Sequence, residues 1–68
     1  MKRYFKHFAG YVFYCFDLNT KKVEKYSIFH GEACKEPTSF DLECLSKMWF
    51  LSSYTEISEI EFNSIFEL

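Results

Sequence analysis

Apolar and polar positions along the chain change their spacing midway. Tyr11-Val12-Phe13-Tyr14-Cys15-Phe16 is an unbroken aromatic and β-branched run, Asp17 to Lys22 supplies turn chemistry, and Val23 to Phe29 resumes strand character. Residues 10–30 therefore predict a β-hairpin. In the second strand Glu24, Tyr26 and Ile28 alternate imperfectly with Val23, Lys25, Ser27 and Phe29, as expected where one face is wet. The first strand is apolar on both sides, which predicts a central or covered position. Residues 3–8 either add a strand or form a helical turn, and the spacing of Phe5 and Phe8 favours the turn. Gly31 to Pro37 reads as a break.

After the break the spacing becomes helical. Thr38 with Asp41 three residues on is a capping-box-like start, and Leu42, Leu45, Met48, Trp49 and Ser52 then fall on one face while Asp41, Glu43 and Lys47 fall elsewhere. That stripe predicts a core face. Tyr54 to Ile57 is a short strand or an extended linker. The last helix carries the best local signature: Ser58 as N-cap, Glu61 as its capping-box partner, and Ile57 with Phe62 as a hydrophobic staple. Glu59 and Glu61 sit in its first turn, where the helix dipole favours anions, and Phe62, Ile65, Phe66 and Leu68 form its apolar side. The expectation is one small α+β domain over residues 1–68, an antiparallel β-hairpin or three-stranded sheet followed by two helices packed on one face.

Composition explains how so short a chain holds a core. Nine Phe, five Tyr and one Trp make 22% of the 68 residues, and each ring removes on the order of 150–250 Å² from water. A chain this small succeeds only when each buried residue is large. Phe13, Phe16, Phe29, Trp49, Phe62 and Phe66 fit core positions, whereas the tyrosines crowd the hairpin and the interhelix segment. No window approaches the eighteen or so apolar residues of a membrane span, and the N-terminus lacks the h-region of a signal peptide. Three cysteines, Cys15, Cys34 and Cys44, are an odd number without scaffold spacing, which points to a reducing cytoplasm. Net charge is −2 but uneven. Residues 1–37 carry seven Lys and Arg against four acids, and residues 38–68 carry Lys47 against six acids, so the halves attract within one chain or between two copies. Apolar surface left uncovered would be met by a homodimer or a partner protein.

Candidate chemistry is sparse. His30, Cys34 and Cys44 offer zinc donors, but only one closely spaced pair exists, and core packing for Cys44 with a strand end for His30 is the stronger reading. Cys34 beside His30 or His7 lacks the oxyanion hole and enclosed pocket that nucleophilic catalysis needs. Two glycines exclude a phosphate cradle. The sequence points away from an enzyme, and it calls for neither cofactor nor metal. Gly10 to Phe16 partly resembles the aromatic strand of an RNA-recognition motif or cold-shock domain, whose rings stack on bases. That alternative is a small nucleic-acid-binding domain using strand 11–16, with Lys2, Arg3, Lys6, Lys21, Lys22 and Lys25 as a basic edge. The acidic balance and missing basic groove weigh against it.

In overall style the chain resembles the small accessory proteins of AT-rich bacteriophages: compact, rich in Phe, Tyr, Lys, Ile and Glu, with an ending such as Tyr54-Thr55-Glu56-Ile57-Ser58-Glu59-Ile60-Glu61-Phe62. The resemblance implies host takeover or counter-defence in the host cytoplasm, by binding and blocking a host protein without catalysis; plasmid-encoded immunity proteins and antitoxins are similar. Docking would use surface aromatics with a charged rim. The candidates are Tyr11, Tyr14, Tyr26, Tyr54 and Trp49, with Glu56, Glu59 and Glu61 or Lys21, Lys22 and Lys25, although core packing competes for each ring.

Overall fold

A computed structural model describes residues 1–66. Five strands, β1 (Lys2–His7), β2 (Val12–Asp17), β3 (Lys22–Phe29), β4 (Glu32–Glu36) and β5 (Tyr54–Ile57), form one antiparallel sheet in the order β4-β3-β2-β1-β5. A 3₁₀ turn (Leu42–Ser46) and helix α1 (Met48–Ser53) lie between β4 and β5, and helix α2 (Glu59–Phe66) follows β5. The expected α+β class and the hairpin of residues 10–30 are present. The sheet has five strands where two or three were expected.

β2 is the middle strand, and its pattern dictates the layers. Tyr14 and Phe16 point to one face, where Phe5, Cys44 and Phe50 join them with Phe40, Leu42, Leu45 and Tyr54 alongside. Phe13 and Cys15 point to the other, where Tyr4 and Phe62 complete the buried set with Ile57, Ile65 and Phe66 around it. A strand apolar on both sides needs two covers. The 3₁₀ turn and α1 supply one and α2 the other, so the helices lie on opposite faces and not on one. β5 makes this possible, because it pairs with β1 at the sheet edge and carries the chain around it.

Local departures have local causes. Residues 2–7 form a strand because Tyr4 and Phe5 serve opposite cores; the Phe5–Phe8 spacing that favoured a turn reflects a sheet-facing ring and a loop ring. The supposed break after Gly31 is β4, joined to β3 by the two-residue turn His30-Gly31 with φ of 53° and 79°. Both positive φ values are those of the primed turn that tight hairpins favour. β4 is exposed along its whole length, so its sequence carries no alternation to reveal it. Thr38 Oγ1 accepts from Phe40 N–H at 3.1 Å in a loop, and Asp41 Oδ1 caps the 3₁₀ turn by accepting from Glu43 N–H at 3.0 Å. The chain leaves helical geometry at Lys47, which has φ −95° and ψ 128°. That break rotates the expected stripe: Leu42 and Leu45 stay half-buried and Phe50 becomes the buried anchor, while Met48 and Trp49 turn to solvent. Phe29, also expected inside, is exposed beside the β3–β4 turn.

At α2 the Ser58 half of the capping box is made: Ser58 Oγ accepts from Glu61 N–H at 3.0 Å, and Ile57 packs in the same cluster as Phe62, while the Glu61 side chain borders a cavity and does not return to the cap. Leu68 lies outside the described residues.

Candidate functional site

The tyrosines do not form one contact face. Tyr14 is 4% exposed and stacks on Phe40 at 4.6 Å, so it is a core residue, placed there by the central position of β2. Tyr26 is half-buried against Phe62 and Phe66, and its hydroxyl donates to Glu24. Tyr54 is half-buried and stacks on Phe50 at 4.5 Å; burial pushes its phenol up to about 12. Tyr11 is 64% exposed and remains available. Since Phe13, Tyr14 and Phe16 are all buried, strand 11–16 offers bases Tyr11 alone, and Lys21 and Lys22 stand at the opposite end of the sheet from it.

The charged candidates fall into separate roles. Glu56 accepts two hydrogen bonds from Arg3, at 2.9 and 2.7 Å, which holds its carboxyl below the usual range. Glu59 accepts from the Tyr4 hydroxyl at 3.1 Å, and burial followed by that bond pushes the Tyr4 phenol up to about 12. The attraction between the basic and acidic halves is thus made, at least in part, within one chain. Glu61 contributes its N–H to the Ser58 cap and its side chain lines an open cavity of ≈ 380 Å³ with Lys6, His7, Phe8, Thr55, Glu56 and Ile57. Lys25 stands 4.0 Å from Glu36, and Lys35 pairs with Glu24, lowering that carboxyl. Lys21 adopts φ 59° in the β2–β3 loop.

Cys34 is exposed on β4, while Cys15 and Cys44 are buried on opposite faces. Burial raises the Cys15 thiol, which lowers its thiolate fraction and with it its reactivity. No group of three or more His, Cys, Asp or Glu among the described residues is placed to hold a metal ion. No described helix is long and apolar enough to cross a membrane.

An exposed aromatic end joins Tyr11 to two rings that sequence reasoning did not single out for contact. Phe8 is 79% exposed and Phe29 68% exposed, and with Tyr11 they belong to one end of the sheet. Ile28 N–H donates to the Tyr11 carbonyl at 2.9 Å, which sets the β1–β2 loop beside the β3–β4 turn. His7 packs on Phe8 and His30 on Phe29, each with ring centroids 4.3 Å apart. No Asp, Glu, Lys or Arg occurs from Phe8 to Phe16 or from Tyr26 to Gly31. Those two charge-free stretches, each running through a turn, were the legible signal, since turns are ordinarily polar. A second exposed group, Met48, Trp49 and Leu51, lies on α1. Such surfaces can bind apolar partners.

No protein family, curated protein or solved structure matches this chain.

Proposed function

We propose that the protein is a non-enzymatic docking module, a small inhibitor or adaptor that acts by covering part of another protein. The observation that carries this reading is the uncharged aromatic end formed by Phe8, Tyr11 and Phe29. Three large rings kept in water cost a small domain solubility and add little to its core, and aromatic clusters of this kind are where binding energy concentrates. The phage-type role, host takeover or counter-defence in a host cytoplasm, rests on the resemblance in overall style alone. An immunity protein or antitoxin would use the same physics. The buried rings of β2 remove the main support for the nucleic-acid alternative.

The test is a comparison of partners recovered from the natural host by the unaltered chain and by the double variant Tyr11→Ser/Phe29→Ser, quantified by mass spectrometry. Both side chains are exposed, so each substitution is expected to change stability by less than about 0.5 kcal/mol. Loss of a reproducible partner with the fold intact supports the reading. Identical recovery by both proteins refutes it, as does turnover of a small molecule by the purified chain.

A further inference from the structure

The two edges of the sheet are built differently. β4 presents Glu32, Lys35 and Glu36 and is followed by Pro37, a pattern that discourages pairing with another chain. β5 has one charged residue, Glu56, and Arg3 already neutralises it. The register shows which backbone groups of β5 are free. Phe8 N–H donates to the Ser53 carbonyl at 3.0 Å, one step beyond the pairing of His7 with Tyr54. Bonded and non-bonded pairs alternate in an antiparallel ladder, so Ser53, Thr55 and Ile57 bond toward β1, and the N–H and C=O of Glu56 point away from the sheet.

Charge says what this edge would accept. From Met48 to Phe66 the chain contains Glu56, Glu59 and Glu61 and no Lys or Arg. Arg3 holds Glu56 and Tyr4 holds Glu59, while Glu61 makes no ion pair among the described residues and faces the cavity beside β5. Lys6, one strand in, is the cavity's cation. Tyr54, half-buried on the α1 face of β5, supplies apolar surface on the other side of the edge.

We propose that the free edge of β5 takes an extended peptide segment of a partner as a sixth strand, a segment in which Lys or Arg alternates with apolar residues. The Glu56 backbone pairs with the segment, whose period of two puts its cationic side chains on the α2 face beside Glu61 and its apolar ones on the opposite face beside Tyr54. This inference rests on the docking reading and names the partner's chemistry at a surface separate from Tyr11 and Phe29.

The experiment titrates the isotope-labelled chain with a short blocked peptide of alternating Arg and Val, and with its counterpart of alternating Glu and Val, followed by amide NMR shifts. The cationic peptide is expected to shift Thr55, Glu56 and Ile57 and to slow exchange of the Glu56 amide. Glu56→Pro removes the outward N–H without removing a bond to β1, and it should weaken binding by up to about tenfold. Glu56→Gln keeps that N–H and should bind more tightly than Glu56→Pro. Glu61→Gln should weaken binding several-fold at low salt, with the difference shrinking as salt rises. The inference is overturned by absence of shifts along β5 at about millimolar cationic peptide, by equal binding of the acidic peptide, by equal affinity of the Pro and Gln variants, or by a concentration-dependent dimer through this edge that Glu56→Pro dissolves. Partner loss in Tyr11→Ser/Phe29→Ser together with any of those results leaves the docking reading standing and sinks only the edge inference.

Discussion

The two faces of the sheet are covered by different means. On one face the cover is a 3₁₀ turn and a six-residue helix, both too short to be stable alone. What fixes them is Phe50, fully buried and in aromatic contact with Phe5, Phe16, Tyr14, Phe40 and Tyr54. On the other face a single helix begins with a hydrogen-bonded cap and is tied to β1 by the Tyr4–Glu59 bond before Phe62 packs against Tyr4, Phe13, Tyr26 and Phe66. In the first cover the 3₁₀ turn has its Asp41 cap, but α1 has no side-chain cap and is held by ring packing; in the second, the cap belongs to the helix that carries the anchor.

That contrast makes truncation of the two anchors the most severe way to break it. Phe50→Ala and Phe62→Ala are each expected to cost about 3–5 kcal/mol, close to the whole stability of so small a domain. Phe50→Ala should be the worse, since the 3₁₀ turn and α1 have no comparable second tie. Denaturation with far-UV circular dichroism should show Phe62→Ala retaining a weakened cooperative transition and Phe50→Ala losing most of it. Equal midpoints would mean that the cap at Ser58 contributes nothing to holding α2.

The same contrast explains which parts were legible in the sequence. α2 announces itself through Ser58, Glu61, Ile57 and Phe62, signals within six consecutive residues, and the structure uses the Ser58 cap and the packing of Ile57 with Phe62. The β2–β3 hairpin was legible because its apolar run and turn residues are contiguous. Lys47 was not, since an extended residue between two helical stretches has no distinctive side chain, and the expected stripe placed Trp49 inside and missed Phe50. β4 was hidden by its own solvation, and β1 by serving two cores with adjacent residues. For the candidate surface, Tyr11 was legible and Tyr14 was not. Both lie in one aromatic run, and only the knowledge that helices cover both faces separates an exposed ring from a buried one.

A smaller effect sharpens the comparison by pH, because each face holds one phenol pushed up to about 12, Tyr4 under α2 and Tyr54 under α1. Burial is the leading cause at both, so folding favours the protonated form. In the unfolded chain tyrosine ionises near about 10. Below that value both states are protonated and the stabilisation is complete; as pH rises through 10 toward 12 the unfolded state loses protons first, and stability falls. Thermal melts between pH 9 and 12 should show this decline, and Tyr4→Phe, which keeps the ring at the α2 face, should make it shallower. A decline unchanged by Tyr4→Phe would assign the titration to the other phenols that burial raises, Tyr54 on the α1 face and Tyr26 on the α2 face.

The smallest expected effect concerns Arg3 and Glu56, the ion pair that ties β5 to β1 on the α1 face. Its side chains are 37% and 46% exposed, so solvent screening limits it to about 0.2–1 kcal/mol even with bidentate geometry. Arg3→Gln should lower stability by that much at low salt and by less at high salt. The Glu56 carboxyl is held below its usual range, so its contribution is present above the unfolded carboxylate value of about 4.3 and disappears as pH falls through the folded one. The corresponding tie on the α2 face, Tyr4 to Glu59, is part-buried and less open to screening by salt. If Arg3→Gln instead costs as much as an anchor truncation, β5 is held to the sheet chiefly by charge, and ring packing is not the principal restraint on that face.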